Sequence, residues 1–321
     1  MSQLLECYGE REGKIVREWL NPHVGFFYTA QASLYKGKTQ FQEIELLQTE
    51  QFGNVLLLDG VTQVAERGDW QYHEPMTHFP LIAHPDPRDV LVIGGGDGGI
   101  LRELAHYKSL EHIDFVELDE EVVAFSKQYL ESVNRQAFDD PRVHMHFTDG
   151  RAFVESKPHR YDAIIMDMTD PFGPSRMLYT QEFFQAIKSV MKDDRALFVM
   201  HSESPITRPV AFECIQRTLA SVFAFVRPVY TFIEMYATQW SFAVASPGTD
   251  IAAIEAKEID RRIEKRKLPP LNLITGETWH SMQVEYPYIK KIHEGSVPII
   301  TDEDLVFPDH FTQVELADEE L

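Results

Sequence analysis

Hydrophobic positions follow two different patterns along the chain. Up to about residue 70 they form short β-rich runs that turn sequences separate. These runs lie at 26–34, 41–48, 55–58 and 62–65. They predict a small antiparallel β domain over residues 1–70. Beyond a proline-rich break at 84–87, buried runs alternate with helical segments, which predicts a mostly parallel sheet covered by helices in a catalytic domain over residues 71–321.

The second domain is expected to bind its ligands at the carboxyl ends of its strands, as open α/β sheets do. Seven strands are predicted, at 89–93, 112–117, 142–147, 162–166, 195–201, 226–233 and 240–245. A helix is predicted over 69–83 and a charged amphipathic helix over 250–267. His73 and His78 of the first helix are not on one helical face. Their spacing therefore favours a packed, hydrogen-bonded helix over a metal site.

The apolar run at 89–93 ends abruptly in a glycine-rich turn. Gly94, Gly96 and Gly99 fit the pattern G-x-G-x-x-G, in which absent side chains allow a tight turn and let a ligand approach the backbone at a helix N-terminus. The helix is predicted over 100–107. By itself the turn suits a nicotinamide dinucleotide, a flavin or an adenosyl sulfonium equally well.

Carboxylates follow two of the predicted strands. Glu117 lies about twenty residues beyond the glycines, where a carboxylate can accept hydrogen bonds from ribose hydroxyls. Asp167 and Asp170 follow the strand at 162–166 and precede a loop rich in proline and glycine. One of these two acids can take a proton from an ammonium group while the other holds a second cationic nitrogen.

Composition and charge narrow the class of partner. The 321 residues carry a formal net charge of −21, which argues against nucleic acid and suits a cationic small molecule. No apolar run is long enough to span a bilayer and no secretory leader is evident, so a cytoplasmic protein without membrane contact is expected. Cys7 and Cys214 lack metal-ligand spacing, so neither a disulfide framework nor a zinc site is predicted.

Together these stretches resemble the spermidine synthase family of polyamine aminopropyltransferases over nearly the whole chain. The resemblance is carried by Phe-Gln-Glu-Ile at 41–44, by 54–63, by Gln-Tyr-His-Glu at 71–74, by the glycine turn at 94–99, by Glu-Leu-Asp at 117–119, by Asp-Gly at 149–150 and by 167–174. It implies a Rossmann-like parallel sheet of the class I methyltransferase type, preceded by the small β domain.

The resemblance also implies a reaction and a set of site residues. The reaction transfers the aminopropyl group of decarboxylated S-adenosylmethionine to an amine and releases 5'-methylthioadenosine. On the donor side it implies Gln42, Gln63 and Asp97 at the aminopropyl end, Gly94 and Gly96 in the turn, Glu117 at the ribose, and Asp149 with Gly150 at the adenine. On the acceptor side it implies Tyr72, Asp170 and Tyr236, with Asp167 as the general base. His73 and His201 are further candidates for substrate binding.

No metal and no permanently bound cofactor are expected, because the sulfonium leaving group is already activated. The resemblance further implies a homodimer or a homotetramer. Asp97 separates this reaction from methyl transfer, because a carboxylate there repels the carboxylate of ordinary S-adenosylmethionine and attracts a bare ammonium. An S-adenosylmethionine-dependent methyltransferase, a nicotinamide oxidoreductase and an inactive binding protein are the alternatives.

Departures from the family pattern cluster around the acceptor. Met168-Thr169 replaces a pair of serines, His201 stands where a glutamine is common, and Glu234-Met235 replaces a Pro-Thr pair. These changes leave the acceptor open between putrescine, another diamine, agmatine and a triamine such as spermidine. Glu203 or Glu234 is a candidate anionic contact for a further nitrogen.

Overall fold

A computed structural model of the protein describes residues 13–21, 23–156, 160–171 and 173–305. Its contacts divide the chain into two compact units, and the boundary between them lies between Gly68 and Asp69. Within the described ranges, no helix has the length and apolar character needed to cross a lipid bilayer.

The first unit consists of antiparallel sheets, as the alternating runs predict. Strands β1 (Lys14–Asn21) and β2 (Val24–Ala30) form one hairpin, and a second, four-stranded sheet has the order β3 (Ala32–Lys38), β4 (Glu43–Thr49), β5 (Gly53–Leu58), β6 (Val61–Ala65). The prediction of one strand over 26–34 is wrong, because the chain changes sheets at Gln31. The hydroxyl of Tyr28 lies 3.1 Å from that of Thr62, which ties β2 to β6.

The second unit contains a seven-stranded sheet, and all seven predicted strands are confirmed. They are β7 (Asp89–Gly94), β8 (His112–Glu117), β9 (Val143–Phe147), β10 (Ala163–Asp167), β11 (Leu197–His201), β12 (Phe225–Ile233) and β13 (Thr238–Ser246), in the order β12-β13-β11-β10-β7-β8-β9. Strands β7 to β11 are parallel and β13 is antiparallel to both of its neighbours. Since β7 and β10 are adjacent, Gly94 is in register with Asp167.

Helices cover this sheet. They are α1 (Trp70–Ala83), α2 (Gly99–Leu104), α3 (Glu120–Tyr129), α4 (Glu131–Asn134), α5 (Gly150–Ser156), α6 (Gln181–Ser189), α7 (Pro209–Ala220), α8 (Ala256–Arg266), α9 (Gly276–Ser281) and α10 (Pro287–Ile292). The helix predicted over 100–107 therefore ends early. The helix predicted over 250–267 is divided into a 3₁₀ turn, Ile251–Ala253, and α8, because Ile254 and Glu255 are extended.

Candidate active site

The glycine-rich turn between β7 and α2 lies against the end of β10. Gly94, Gly95 and Gly98 have φ of 79°, 76° and 80°, a region that side chains with a Cβ rarely adopt. The N–H of Gly95 donates to the backbone carbonyl of Asp167 at 2.9 Å. A Cβ on Gly94 would overlap that same carbonyl oxygen. Glycine is therefore required here for the turn to touch the strand that carries the acid.

The side chain of Asp167 is held at this turn. Its Oδ1 accepts a hydrogen bond of 2.8 Å from the hydroxyl of Tyr72, and its Oδ2 lies 3.2 Å from the position that a Cβ of Gly95 would take. Burial raises the pKa of Asp167 to about 7, with a further contribution from Asp97 that His73 and Tyr72 oppose. A carboxyl group with this pKa exchanges protons near neutrality, which is the property of a general base.

Asp97, inside the turn, belongs to a buried row of charges. Its Oδ1 accepts from the N–H of Gly99 at 2.6 Å and lies 3.4 Å from Nε2 of His73. The other ring nitrogen of His73 lies 3.1 Å from Asp69. Burial disfavours the imidazolium, yet Asp97 and Asp69 together raise the pKa of His73 to about 10. His73 is therefore a fixed cation. Burial also acts against the charged form of Asp97, but His73 and Gly99 hold its pKa below the usual range.

His73 does not line an open pocket. It is 2 % exposed and lies directly beneath Gly99, where a Cβ would overlap the imidazole ring. The packed and hydrogen-bonded helix predicted from its spacing is confirmed. The structure thus places His73 against Asp97 and near Asp167, where its charge acts on both carboxylates. A direct contact of His73 with the acceptor stays a prediction.

The expected ribose and adenine residues lie beyond the turn. Glu117 ends β8, its Oε1 accepts from the N–H of Asp119 at 3.0 Å, and its Oε2 lies 3.2 Å from the position of a Cβ on Gly96. Burial raises the pKa of Glu117 to about 7, against the opposing effect of the N–H groups of Asp119 and Leu118. Asp149 is exposed and accepts from the N–H of Ala152 at 2.7 Å at the start of α5.

Aromatic side chains surround the space next to Asp167. The ring of Tyr72 lies 6.5 Å from that of Tyr236, which lies 5.2 Å from Trp240. His201 stacks on Trp240 at 5.8 Å, and its Nε2 lies 2.8 Å from the hydroxyl of Tyr179. Burial lowers the pKa of His201, so the ring is neutral near pH 7. Aromatic faces and neutral acceptors suit an alkylammonium ligand.

Asp170 and Glu203 share a single guanidinium. Nη1 of Arg208 lies 2.6 Å from Asp170 Oδ2 and 3.0 Å from Glu203 Oε2. Glu203 is completely buried, and burial, with Asp170 beside it, raises its pKa to about 8. The sequence predicts either Glu203 or Glu234 as an anionic contact for a further nitrogen of the acceptor. The structure buries Glu203 beside Asp170 and leaves Glu234 exposed. Arg208 was missed, although it lies just beyond the carboxyl end of β11.

Two expected donor residues belong to the first unit. Gln42 immediately precedes β4, and its N–H donates to the hydroxyl of Thr39 at 3.1 Å. Gln63 lies in β6, where its side-chain amide donates to the carbonyl of Val61 at 3.2 Å. Their assignment to the donor remains a prediction.

Tyr72→Phe is expected to move the acid limb of the rate profile to higher pH. The hydroxyl stabilises the ionised form of Asp167, so its loss raises the pKa of that carboxyl and lowers the rate at pH 7 by about tenfold. The difference in rate between Tyr72→Phe and the wild type should become smaller toward pH 9. Tyr161→Phe is the matched control, because it removes a buried tyrosine-to-aspartate hydrogen bond at Asp114 instead. A profile of Tyr72→Phe that coincides with that of the control would contradict this role.

The chain is similar to known proteins over most of its length. A family model described as the spermine/spermidine synthase domain matches residues 69–254, and one described as the spermidine synthase tetramerisation domain matches residues 16–66. A polyamine aminopropyltransferase from Nitrosomonas europaea is 38% identical over 283 residues, which cover 88% of this chain and 87% of that protein. One from Methanocaldococcus jannaschii is 40% identical over 232 residues, covering 71% and 78% respectively.

The fold of this chain is also similar to solved structures of spermidine synthases. A spermidine synthase in complex with the transition state analogue AdoDATO superimposes with a TM-score of 0.82 at 30% identity, over 89% of this chain and 97% of that one. The spermidine synthase from Thermotoga maritima superimposes with a TM-score of 0.81 at 30% identity, over 89% and 96%.

Proposed function

The chain belongs to the spermine/spermidine synthase family of aminopropyltransferases, and we propose that Asp167 is the base that deprotonates the attacking amine. The observation that carries this proposal is the position of the Asp167 carboxyl group, hydrogen-bonded to Tyr72 and lying against the glycine turn. The relatives are named polyamine aminopropyltransferases, which favours aminopropyl transfer over the methyl transfer that the same turn also suits.

Aminopropyl transfer requires a base for the acceptor amine and correct positioning of the two reacting atoms. An alkylamine with a pKa of about 10.4 is almost entirely protonated at neutral pH and has no lone pair with which to attack carbon. Asp167 removes one proton. The nitrogen then attacks the methylene carbon beside the sulfonium, the C–S bond breaks, and its electron pair stays on sulfur as the thioether of methylthioadenosine. Holding nitrogen and carbon in line supplies much of the remaining acceleration.

The donor is decarboxylated S-adenosylmethionine. Asp97 receives the ammonium at the end of its aminopropyl group and, held ionised by His73, disfavours a donor that still carries a carboxylate. Glu117 accepts the ribose hydroxyls. Gly150 lets the backbone after β9 approach β7, since a Cβ there would lie 2.6 Å from Ile93. Asp149 completes the donor side in the second unit.

The acceptor amine lies between two acidic ends. Its reacting nitrogen is at Asp167 and Tyr72, and its distal nitrogen is at Asp170, Glu203 and the neutral His201, beside Tyr236. One ligating atom of each of Asp170, His201 and Glu203 lies within 4.8 Å of the others. Oε1 of Glu203 is buried without a hydrogen-bond partner, so an N–H donor of the acceptor can satisfy it.

No metal takes part in this mechanism. His73, Asp97 and Asp167 have a spacing that suits a metal ion, as does the group at Asp170. Each group, however, already contacts a cationic side chain, the imidazolium of His73 in the first and the guanidinium of Arg208 in the second. A divalent ion would have to displace the proton of His73 in the first group and would meet the guanidinium charge in the second.

The first unit mediates assembly into a homodimer or homotetramer. It matches a tetramerisation domain, and several large apolar side chains on it are exposed, which is typical of interaction surfaces. These are Trp19, Val24, Phe27, Leu34 and Phe41. Light scattering on the purified protein would give two or four times the subunit mass of 37.1 kDa.

The test of the reaction supplies decarboxylated S-adenosylmethionine with putrescine, cadaverine, agmatine and spermidine, each alone, and identifies products by mass spectrometry. We expect at least one amine to gain an aminopropyl group, with an equal amount of methylthioadenosine. Methylation of an amine by ordinary S-adenosylmethionine, with no methylthioadenosine from the decarboxylated donor, would replace the proposal with the methyltransferase alternative.

A further inference from the structure

Arg208 is an unexpected cation at the distal end of a site that binds cations. Its side chain is 13% exposed, and its guanidinium contacts both carboxylates that the distal nitrogen would use. Nothing in the transfer of an aminopropyl group requires an arginine there, and no motif of the sequence pointed to it. Its position therefore bears on which acceptor the site accepts.

The backbone around Arg208 is fixed by several hydrogen bonds. The hydroxyl of Ser204 accepts from the N–H groups of Ile206 and Thr207, both at 3.2 Å, which forms a tight turn into α7. Glu203 has a left-handed backbone with φ of 66°, and its carbonyl accepts from the N–H and the hydroxyl of Ser241, at 3.0 Å and 2.6 Å. The backbone that carries Glu203 and leads to Arg208 is thus held in place by these hydrogen bonds.

A guanidinium recognises carboxylates with several N–H donors in one plane, whereas an ammonium is a compact point charge. Arg208 already occupies Oδ2 of Asp170 and Oε2 of Glu203. A second guanidinium at this place would find the oxygens that its planar N–H donors need already used by Arg208. An ammonium needs less space and can use Oε1 of Glu203, which is buried without a partner.

The charges of the site fit a single cationic group at the distal end of the acceptor. Burial raises the pKa of Glu203 to about 8 in the free site, and a bound cation favours the ionised form. With both carboxylates ionised, Asp170, Glu203 and Arg208 sum to one negative charge, which matches one cationic group. Burial keeps the Arg208 charge from being screened by solvent. One distal cation is therefore balanced here, and the oxygens that Arg208 already contacts favour an ammonium over a guanidinium.

We propose that Arg208 is a specificity-determining residue that fills the guanidinium position of the acceptor site, so that the enzyme uses amines with a distal primary ammonium and rejects guanidine-ended acceptors such as agmatine. This proposal rests on the proposed aminopropyl transfer, with the acceptor's distal nitrogen at Asp170.

The first measurement uses the unmodified enzyme. We expect kcat/KM for putrescine or cadaverine to exceed that for agmatine by about 100-fold or more. A wild-type enzyme that uses agmatine as well as either diamine would overturn the proposal without any variant. If no amine at all reacts and no methylthioadenosine forms, the proposed transfer itself fails, and that result is distinct from a reaction with the wrong acceptor.

The second measurement removes the guanidinium. Arg208→Ala is expected to lower kcat/KM for the diamines by about tenfold or more and to raise the agmatine-to-diamine ratio by a similar factor. Guanidinium ion added at millimolar concentration should restore diamine activity and inhibit agmatine use. Arg208→Lys keeps the charge without the planar donors and should recover diamine activity only in part. Arg227→Ala, which breaks an arginine pair with Asp250, is the matched control.

Thermal unfolding with and without methylthioadenosine establishes that each variant is folded and still binds at the donor side. An equal loss of diamine and agmatine activity in Arg208→Ala, with no response to guanidinium ion, would overturn the proposal, because it is the result expected if Arg208 only holds the Asp170 loop in place.

Discussion

Asp167→Asn is expected to lower kcat by about 10²- to 10⁴-fold, the range that a positioned general base contributes. The amide has nearly the same size and can still accept a hydrogen bond from Tyr72, but it cannot take a proton from an ammonium. The measurement is the formation of methylthioadenosine at saturating donor and amine. Folding should be preserved, because burial already disfavours the charged form of Asp167 and raises its pKa to about 7.

The pH dependence distinguishes this role from a structural one. In the wild type, kcat should rise with pH through about 7 as the Asp167 carboxyl loses its proton and becomes able to accept one. The residual activity of Asp167→Asn should lack that rise. Glu117, with a pKa of about 7, titrates in the same range, but its effect is expected in the KM for the donor.

Asp162→Asn is the matched control for this variant. Asp162 is also buried and lies just before the amino end of the same strand, β10, where it accepts from the N–H groups of Arg88 and Asp89. The Asp162→Asn variant should alter the stability of the protein and leave kcat within a few-fold of the wild-type value. An Asp167→Asn enzyme that retains more than about a tenth of wild-type kcat would show that another group or water accepts the proton.

The central sheet was predictable because its strands are buried on both faces. Runs such as 89–93 and 162–166 are continuous and apolar, so local sequence is sufficient to find them. That their carboxyl ends face the ligand was expected from the general rule for open α/β sheets, whereas their adjacency is seen only in the structure. This rule places the glycine turn and Asp167 at one edge of the sheet, where the structure has Gly94 in register with Asp167.

Contacts between distant segments were not predictable in the same way. The partners of Glu203 include Asp170 and Arg208, which come from two different loops, and sequence gives no signal for their meeting. The cationic state of His73 likewise depends on Asp97, which lies on another element. Strand β1 was missed because charged residues interrupt its alternation. The helix predicted over 250–267 is regular only from Ala256 to Arg266, because an amphipathic pattern carries no signal for the extended break at Ile254.

Gly94→Ala is expected to give the largest loss of stability of any single methyl addition at this site. Gly94 has φ of 79°, where a residue with a Cβ costs about 1–2 kcal/mol. The new methyl group would also overlap the carbonyl oxygen of Asp167, so β7 and β10 must move apart. A total of roughly 3 kcal/mol would lower the unfolding temperature by about 6–12 °C in a domain of this size. Differential scanning calorimetry measures the shift.

The same substitution should impair catalysis in the molecules that remain folded. The carbonyl of Asp167 that the methyl group displaces accepts the N–H of Gly95, and the side chain of that residue is the proposed base. A misplacement of about 1 Å at a reacting group can cost about 100-fold in rate. Gly295→Ala is the matched control, because the nearest atom to its new Cβ is a carbonyl oxygen 3.1 Å away. If Gly94→Ala unfolds at the temperature of this control and turns over normally, the turn does not fix Asp167.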